Sequence, residues 1–236
     1  MLCHQPVAGQ QDLCQLCQPA LPEPEPRCLL CAERVSAQAT QAERRQPAHR
    51  ASFLQLRSSL PSSLYCMACH TQPPSYAQLT TLWPYLAPLD RLLLRFKYQQ
   101  DLTAGGLFLD WLEEKFDPQG DWVLISIPPH RARQRQRGID PPGWIARRLG
   151  WMWQRPYHPQ WLMRIKETPS QQKLSRRQRL SNPQGAFLAH PAVQGQSCLL
   201  IDDVVTTGST LHWAAQALIA AGAQQVEALA LVKVDS

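Results

Sequence analysis

Residues 199–210 read Leu-Leu-Ile-Asp-Asp-Val-Val-Thr-Thr-Gly-Ser-Thr, and no other stretch limits the fold as tightly. An apolar run brings a buried strand to its end, two adjacent carboxylates follow, and a Thr/Gly/Ser loop opens a helix. Backbone N–H groups of Thr206, Thr207, Gly208, Ser209 and Thr210 at the positive end of that helix can wrap a phosphate monoester. Gly208 lets the backbone approach the ligand without a Cβ in the way. Asp202 and Asp203, one step upstream, can accept hydrogen bonds from vicinal hydroxyls or hold Mg2+ through water. A ligand with a phosphate at one end and a diol beside it is a sugar phosphate.

The remaining segments extend this strand–loop–helix into an α/β domain. Leu79 to Tyr98 carries Leu86, Leu89, Leu92, Leu93 and Phe96 at helical spacing, which predicts one helix, and a second helix follows near Leu107 to Phe116. Trp122 to Ile127 is a buried strand that stops at Pro128-Pro129, and Trp144 to Trp153 is a helix. Leu199 to Val204, Thr210 to Ala221 and Val226 to Val234 give strand, helix and strand. Such alternation predicts a parallel sheet with helices on both faces. Ligands in such sheets sit beyond the strand C-terminal ends, where loops 128–137 and 203–210 both fall. Trp151 and Trp153 are expected in core or lid packing. At 236 residues the chain suits one medium domain plus a small appendage. We expect boundaries at 1–32 for a Cys-rich module, 33–78 for a linker with an extra Cys pair, and 79–236 for the α/β domain. The N-terminus shows no apolar signal region, and Ala214 to Ala223 is too short to span a bilayer. A cytoplasmic protein without membrane insertion is the expectation.

Charge is concentrated. Residues 131–155 hold seven arginines, including Arg131, Arg133, Arg135 and Arg137, against Asp140 alone. Residues 164–179 hold six Lys/Arg, including Arg176 and Arg177, against Glu167. With the whole chain at +6, everything else is net negative, so the basic segments suit a polyanion, either nucleic acid or a polyphosphate. Arg133, Arg135, Arg176 and Arg177 are candidates for nucleic-acid contact. His130, Arg131 and Arg137, just past a strand end, can meet a pyrophosphate, Arg doing so bidentately. The long, polar, basic stretch Arg164 to Phe187 suits a mobile lid. No catalytic base can be assigned from the residues.

Six of the eight cysteines form Cys-x-x-Cys pairs: Cys14/Cys17, Cys28/Cys31 and Cys66/Cys69. Two such pairs can present four thiolates to one tetrahedral Zn2+, and a metal staple suits a segment with too few apolar residues to fold unaided. Cys14, Cys17, Cys28 and Cys31 are the favoured ligands, with Cys66 and Cys69 able to replace either pair. Cys198 is expected in the core beside Leu199 and Leu200.

The 199–210 segment resembles the PRPP-binding signature of type I phosphoribosyltransferases. Nearly the whole chain resembles the ComF family of competence and DNA-uptake proteins. That resemblance rests on the Cys-x-x-Cys pairs and Arg95-Phe96-Lys97-Tyr98, then on Ile127-Pro128-x-His130-x-x-Arg133-x-x-x-Arg137-Gly138. It continues through Arg164-x-x-x-Thr168-x-x-Gln171-x-x-Leu174, Arg179-x-x-Asn182 and Ala186-Phe187. It implies a type I phosphoribosyltransferase-like fold with a zinc-binding appendage, PRPP binding with Mg2+, handling of single-stranded DNA, and a partner in the uptake machinery. An active phosphoribosyltransferase acting on a base or amine, and a PRPP-sensing regulator, are the alternatives. The chain departs from the family where Ile139-Asp140-Pro141 replaces Phe-Asn-Gln, a change expected to remove two polar side chains near the site. It departs again at Ser52 and Gln55, where a further Cys pair would fall.

Overall fold

The structure, a computed structural model, describes residues 26–35, 65–116, 120–130, 138–166 and 183–235. Elements in chain order are α1 (Met67–Thr71), β1 (Leu79–Pro84), α2 (Leu89–Gln99), α3 (Leu102–Lys115), β2 (Trp122–Ser126), α4 (Pro141–Met152), β3 (Leu162–Arg164), β4 (Phe187–Ala189), β5 (Ser197–Val205), α5 (Ser209–Ala220) and β6 (Gln225–Lys233). A parallel sheet runs β1-β6-β5-β2, and helices cover both its faces. All five residues of β2 are buried, as a parallel strand covered on both sides requires.

Alternation along the strands divides the core into two layers. Val123, Ile125, Cys198, Leu200, Val226 and Ala228 face α5, with its Leu211, Ala214, Ala215 and Leu218. Leu124, Leu199, Ile201, Leu229 and Leu231 face α2, α3 and α4. Cys198 is fully buried, as the sequence implies, and burial pushes its thiol up to about 12.

Two expectations need correction. Leu79 to Tyr98 is not one helix: Leu79-Thr80-Thr81-Leu82-Trp83 forms the edge strand β1, and the helix begins only at Leu89. Pro84 and Pro88 interrupt any continuous helix, while Thr and Trp favour the strand. Within α2 the expected spacing holds, with Leu89, Leu92, Leu93 and Phe96 buried. Trp151 is the second correction, since it is 75% exposed. Trp153 does pack, half-buried, 5.7 Å from the Phe116 ring.

The basic stretch beginning at Arg164 is framed by an antiparallel pairing of β3 with β4, Arg164 opposite Phe187. Its interior, 167–182, lies outside the described residues. Among the described residues, no helix is long and apolar enough to cross a membrane.

Candidate functional site

Strand β5 delivers Asp202 and Asp203 to the C-terminal edge of the sheet, and the chain turns at Gly208 into α5. Asp203 is buried and pairs with the Lys97 ammonium, Nζ to Oδ2 at 2.7 Å, with both side chains largely out of water. Lys97 lies in the last turn of α2, so the α2 layer supplies the cation for an acid on β5. A lone lysine at a helix end carries no sequence signal for this pairing; Lys97 enters the sequence reading only as part of the Arg-Phe-Lys-Tyr motif of the family resemblance. Asp202 accepts a hydrogen bond from the Asp203 backbone N–H at 2.8 Å. Burial, and then the charge of Asp203, push its carboxyl well up, against the pull of Lys97. Two adjacent carboxylates thus share one ammonium, and oxygen ligands short of positive charge are what Mg2+ or a diol can satisfy.

Beyond the acids, Thr206, Thr207, Gly208, Ser209 and Thr210 form the turn, with Thr207 Oγ1 3.0 Å from Ser209 Oγ. Gly208 takes a left-handed conformation at φ +74. A Cβ there would lie 2.9 Å from the Tyr76 hydroxyl, so the glycine is required by its conformation and by a protein neighbour, besides any approach of ligand. Helix α5 then points its N-terminus, the positive end of its dipole, at the space beyond the sheet.

The Ile139-Asp140-Pro141 departure does not strip the region of polar groups. Asp140 stands just before α4. Burial pushes its carboxyl up, opposed by a hydrogen bond from the Gly143 backbone, and the charge of Asp203 adds to the rise. Its Oδ1 is buried without a hydrogen-bond partner. Nearby, Tyr157 and Ser126 hydroxyls meet at 2.9 Å.

Past β2, a cavity of about 540 Å³ is lined by Pro128, Pro129 and His130 on one side and by Leu162 to Lys166 on another. Arg164 donates to the Pro128 carbonyl at 3.3 Å and lies over the Phe187 ring at 4.6 Å. His130 is therefore at the expected strand end, but Arg131, Arg133, Arg135, Arg137, Arg176 and Arg177 lie outside the described residues.

The Cys28, Cys31, Cys66 and Cys69 sulfurs all lie within 4.8 Å of one another, and those of Cys31 and Cys66 are 3.5 Å apart. Tetrahedral zinc with bonds of about 2.3 Å would set its sulfurs roughly 3.8 Å apart, so the donor set and its spacing fit the metal. Hydrogen bonds from Cys31 and Cys69 draw the Cys28 thiol down, whereas Cys31 is pushed up to about 12 through its bond to Cys28. The alternative pair, Cys66/Cys69, thus fills the set with Cys28 and Cys31. Cys14 and Cys17, the favoured partners from spacing alone, lie outside the described residues, and a tetrahedral centre leaves no fifth position. The cluster is fastened to the sheet. Arg27 and Arg34 pair with Asp235 at 2.6 and 2.9 Å, the fully buried Lys233 pairs with Glu33 at 2.8 Å, and the Leu79 N–H bonds the Leu29 carbonyl.

Comparison with known proteins agrees with this geometry. A phosphoribosyl transferase domain matches residues 147–236, the part that includes β5, the turn and α5. The chain is 31% identical to DNA utilization protein YhgH of Escherichia coli O157:H7, over 73% of its own length and 79% of that protein. It is 27% identical to competence protein F of Haemophilus influenzae, over 72% and 78%, and 29% identical to competence protein ComFC of Bacillus subtilis, over 66% and 64%. With an acid pair and a Thr-Thr-Gly-Ser-Thr turn on a parallel sheet, a four-cysteine cluster and relatives of this kind, the chain belongs to the ComF family.

Proposed function

We propose that this protein binds PRPP with Mg2+ at the β5–α5 turn and serves DNA uptake in the cytoplasm, where it handles single-stranded DNA alongside a protein of the uptake machinery. The observation that carries the PRPP reading is the pair Asp202–Asp203, joined to Lys97 and followed directly by the turn into α5. Asp202 and Asp203 receive the ribose hydroxyls, residues 206–210 receive the 5-phosphate, and His130, Arg131 and Arg137 are assigned the role of meeting the pyrophosphate. Mg2+, held through the acids and the pyrophosphate, would neutralise charge on the polyphosphate. The names of the relatives, DNA utilization and competence proteins, support the DNA role. So does an exposed tryptophan, Trp151, with the Arg148 guanidinium 5.6 Å from its ring centre, a combination suited to stacking a base near a phosphate.

Transfer of the phosphoribosyl group to an acceptor is the second reading, favoured by the cavity beside His130 and Arg164, which has room for a base or amine. Calorimetric titration of the zinc-loaded protein with PRPP and Mg2+ tests the first reading. Micromolar binding that Asp202→Ala abolishes is expected; no binding by the folded wild type refutes it. Pyrophosphate release in a broad acceptor screen would establish the second.

A further inference from the structure

We infer that Tyr76, contributed by the segment between the cysteine cluster and the sheet, donates its hydroxyl to the phosphate monoester bound at the N-terminus of α5. This rests on the sugar-phosphate reading of that turn and adds a phosphate ligand from outside it. Tyr76 is only 2% exposed, its ring set in the core layer with Leu79, Val205 and Leu211. A buried phenol ordinarily finds a partner for its O–H. This one has no hydrogen-bond partner among the described residues, although its side chain is closed off from water. The hydroxyl ends at the phosphate turn, 2.9 Å from where a Cβ on Gly208 would stand. Its surroundings keep it protonated, since burial pushes its ionisation far up, so the oxygen has a proton to give.

The segment is held in place from two sides. The Ser75 backbone N–H donates to His212 Nδ1 at 3.1 Å, one turn into α5, and the Ala77 N–H donates to the Val226 carbonyl at 2.8 Å. These contacts fix the backbone on both sides of Tyr76, and the core packing of the ring fixes the direction in which its hydroxyl points. An anion at a twelve-residue helix N-terminus and a phenol held there with its O–H uncommitted meet each other's needs. The shared chemistry is a phosphate monoester, for which ribose 5-phosphate is the simplest probe.

The experiment is calorimetric titration of the zinc-loaded wild type and Tyr76→Phe with ribose 5-phosphate and, separately, with Mg-pyrophosphate, which lacks the monoester. A charge-assisted hydrogen bond is worth about 1.5–3 kcal/mol, so Tyr76→Phe should weaken ribose 5-phosphate roughly ten- to a hundredfold and leave Mg-pyrophosphate unchanged. Proton NMR supplies a readout that mere packing would not move: a slowly exchanging hydroxyl resonance should appear on adding ribose 5-phosphate to the wild type and be missing from Tyr76→Phe. Equal affinity of the two proteins for ribose 5-phosphate, or no such resonance in the saturated wild type, overturns the role of Tyr76 alone. Failure of the wild type to bind ribose 5-phosphate or PRPP overturns the sugar-phosphate reading and this inference together.

Discussion

Lys97 and Asp203 form a pair whose two halves are both nearly closed off from water, and the consequences of removing either are unequal. Lys97→Met leaves a buried carboxylate with no compensating charge, which costs about 3 kcal/mol or more, whereas replacing both with apolar residues can be nearly neutral. Lys97→Met should therefore lower the urea midpoint substantially and weaken PRPP binding, while Lys97→Met/Asp203→Leu should regain stability without regaining PRPP. Recovery of PRPP binding in the double variant would remove Asp203 from the site. The same local economy explains Gly208. Its positive φ and the Tyr76 hydroxyl each exclude a side chain, and only the first can be suspected from the letters Thr-Thr-Gly-Ser-Thr.

Among the elements, α1 and the turn around Cys28 form one four-cysteine cluster although 35 positions separate Cys31 from Cys66. Cys28→Ser and Cys69→Ser should lose zinc as measured by atomic emission; Cys14→Ser and Cys17→Ser should retain it. Spacing alone could not choose between these pairs, because every Cys-x-x-Cys offers the same local geometry and the choice is made by chain folding at long range. Strand β6 contributes a different prediction. Burial pushes the Glu227 carboxyl up to about 7, against a hydrogen bond from Gln225. The native state then binds a proton that the unfolded chain releases nearer pH 4.5, so this group makes stability fall as pH rises from about 4.5 to about 7. Glu227→Gln should flatten that part of the melting-temperature profile and raise stability above pH 7; an unchanged profile would assign the slope elsewhere. Strands β2, β5 and β6 and helix α5 were legible because long apolar runs declare their burial. β1 was hidden because its leucines also fit the helical period of the segment beyond it, and β3 and β4 because three-residue strands have no period.

For the molecule as a whole, the proposed DNA role together with a net charge of +6 predicts an affinity that falls linearly, log against log, with salt. Arg148→Ala should reduce that slope by about one unit. Trp151→Ala should lower affinity for a single-stranded oligonucleotide by about 1–3 kcal/mol, the worth of a stacked base, with the slope unaltered. Fluorescence anisotropy across a salt series separates the two effects, and no change from either substitution would refute α4 as a DNA-contacting face. The strand order carries one further consequence. Among the described residues β1 pairs with β6 alone in the sheet, and Arg27, Glu33 and Arg34 close onto Lys233 and Asp235. During synthesis at about 5–20 residues per second, the edge strand and its thiol cluster must wait on the order of ten seconds for their place in the sheet to exist. Translation thus gives the thiols time to meet a metal, or an oxidant, before the sheet can receive them.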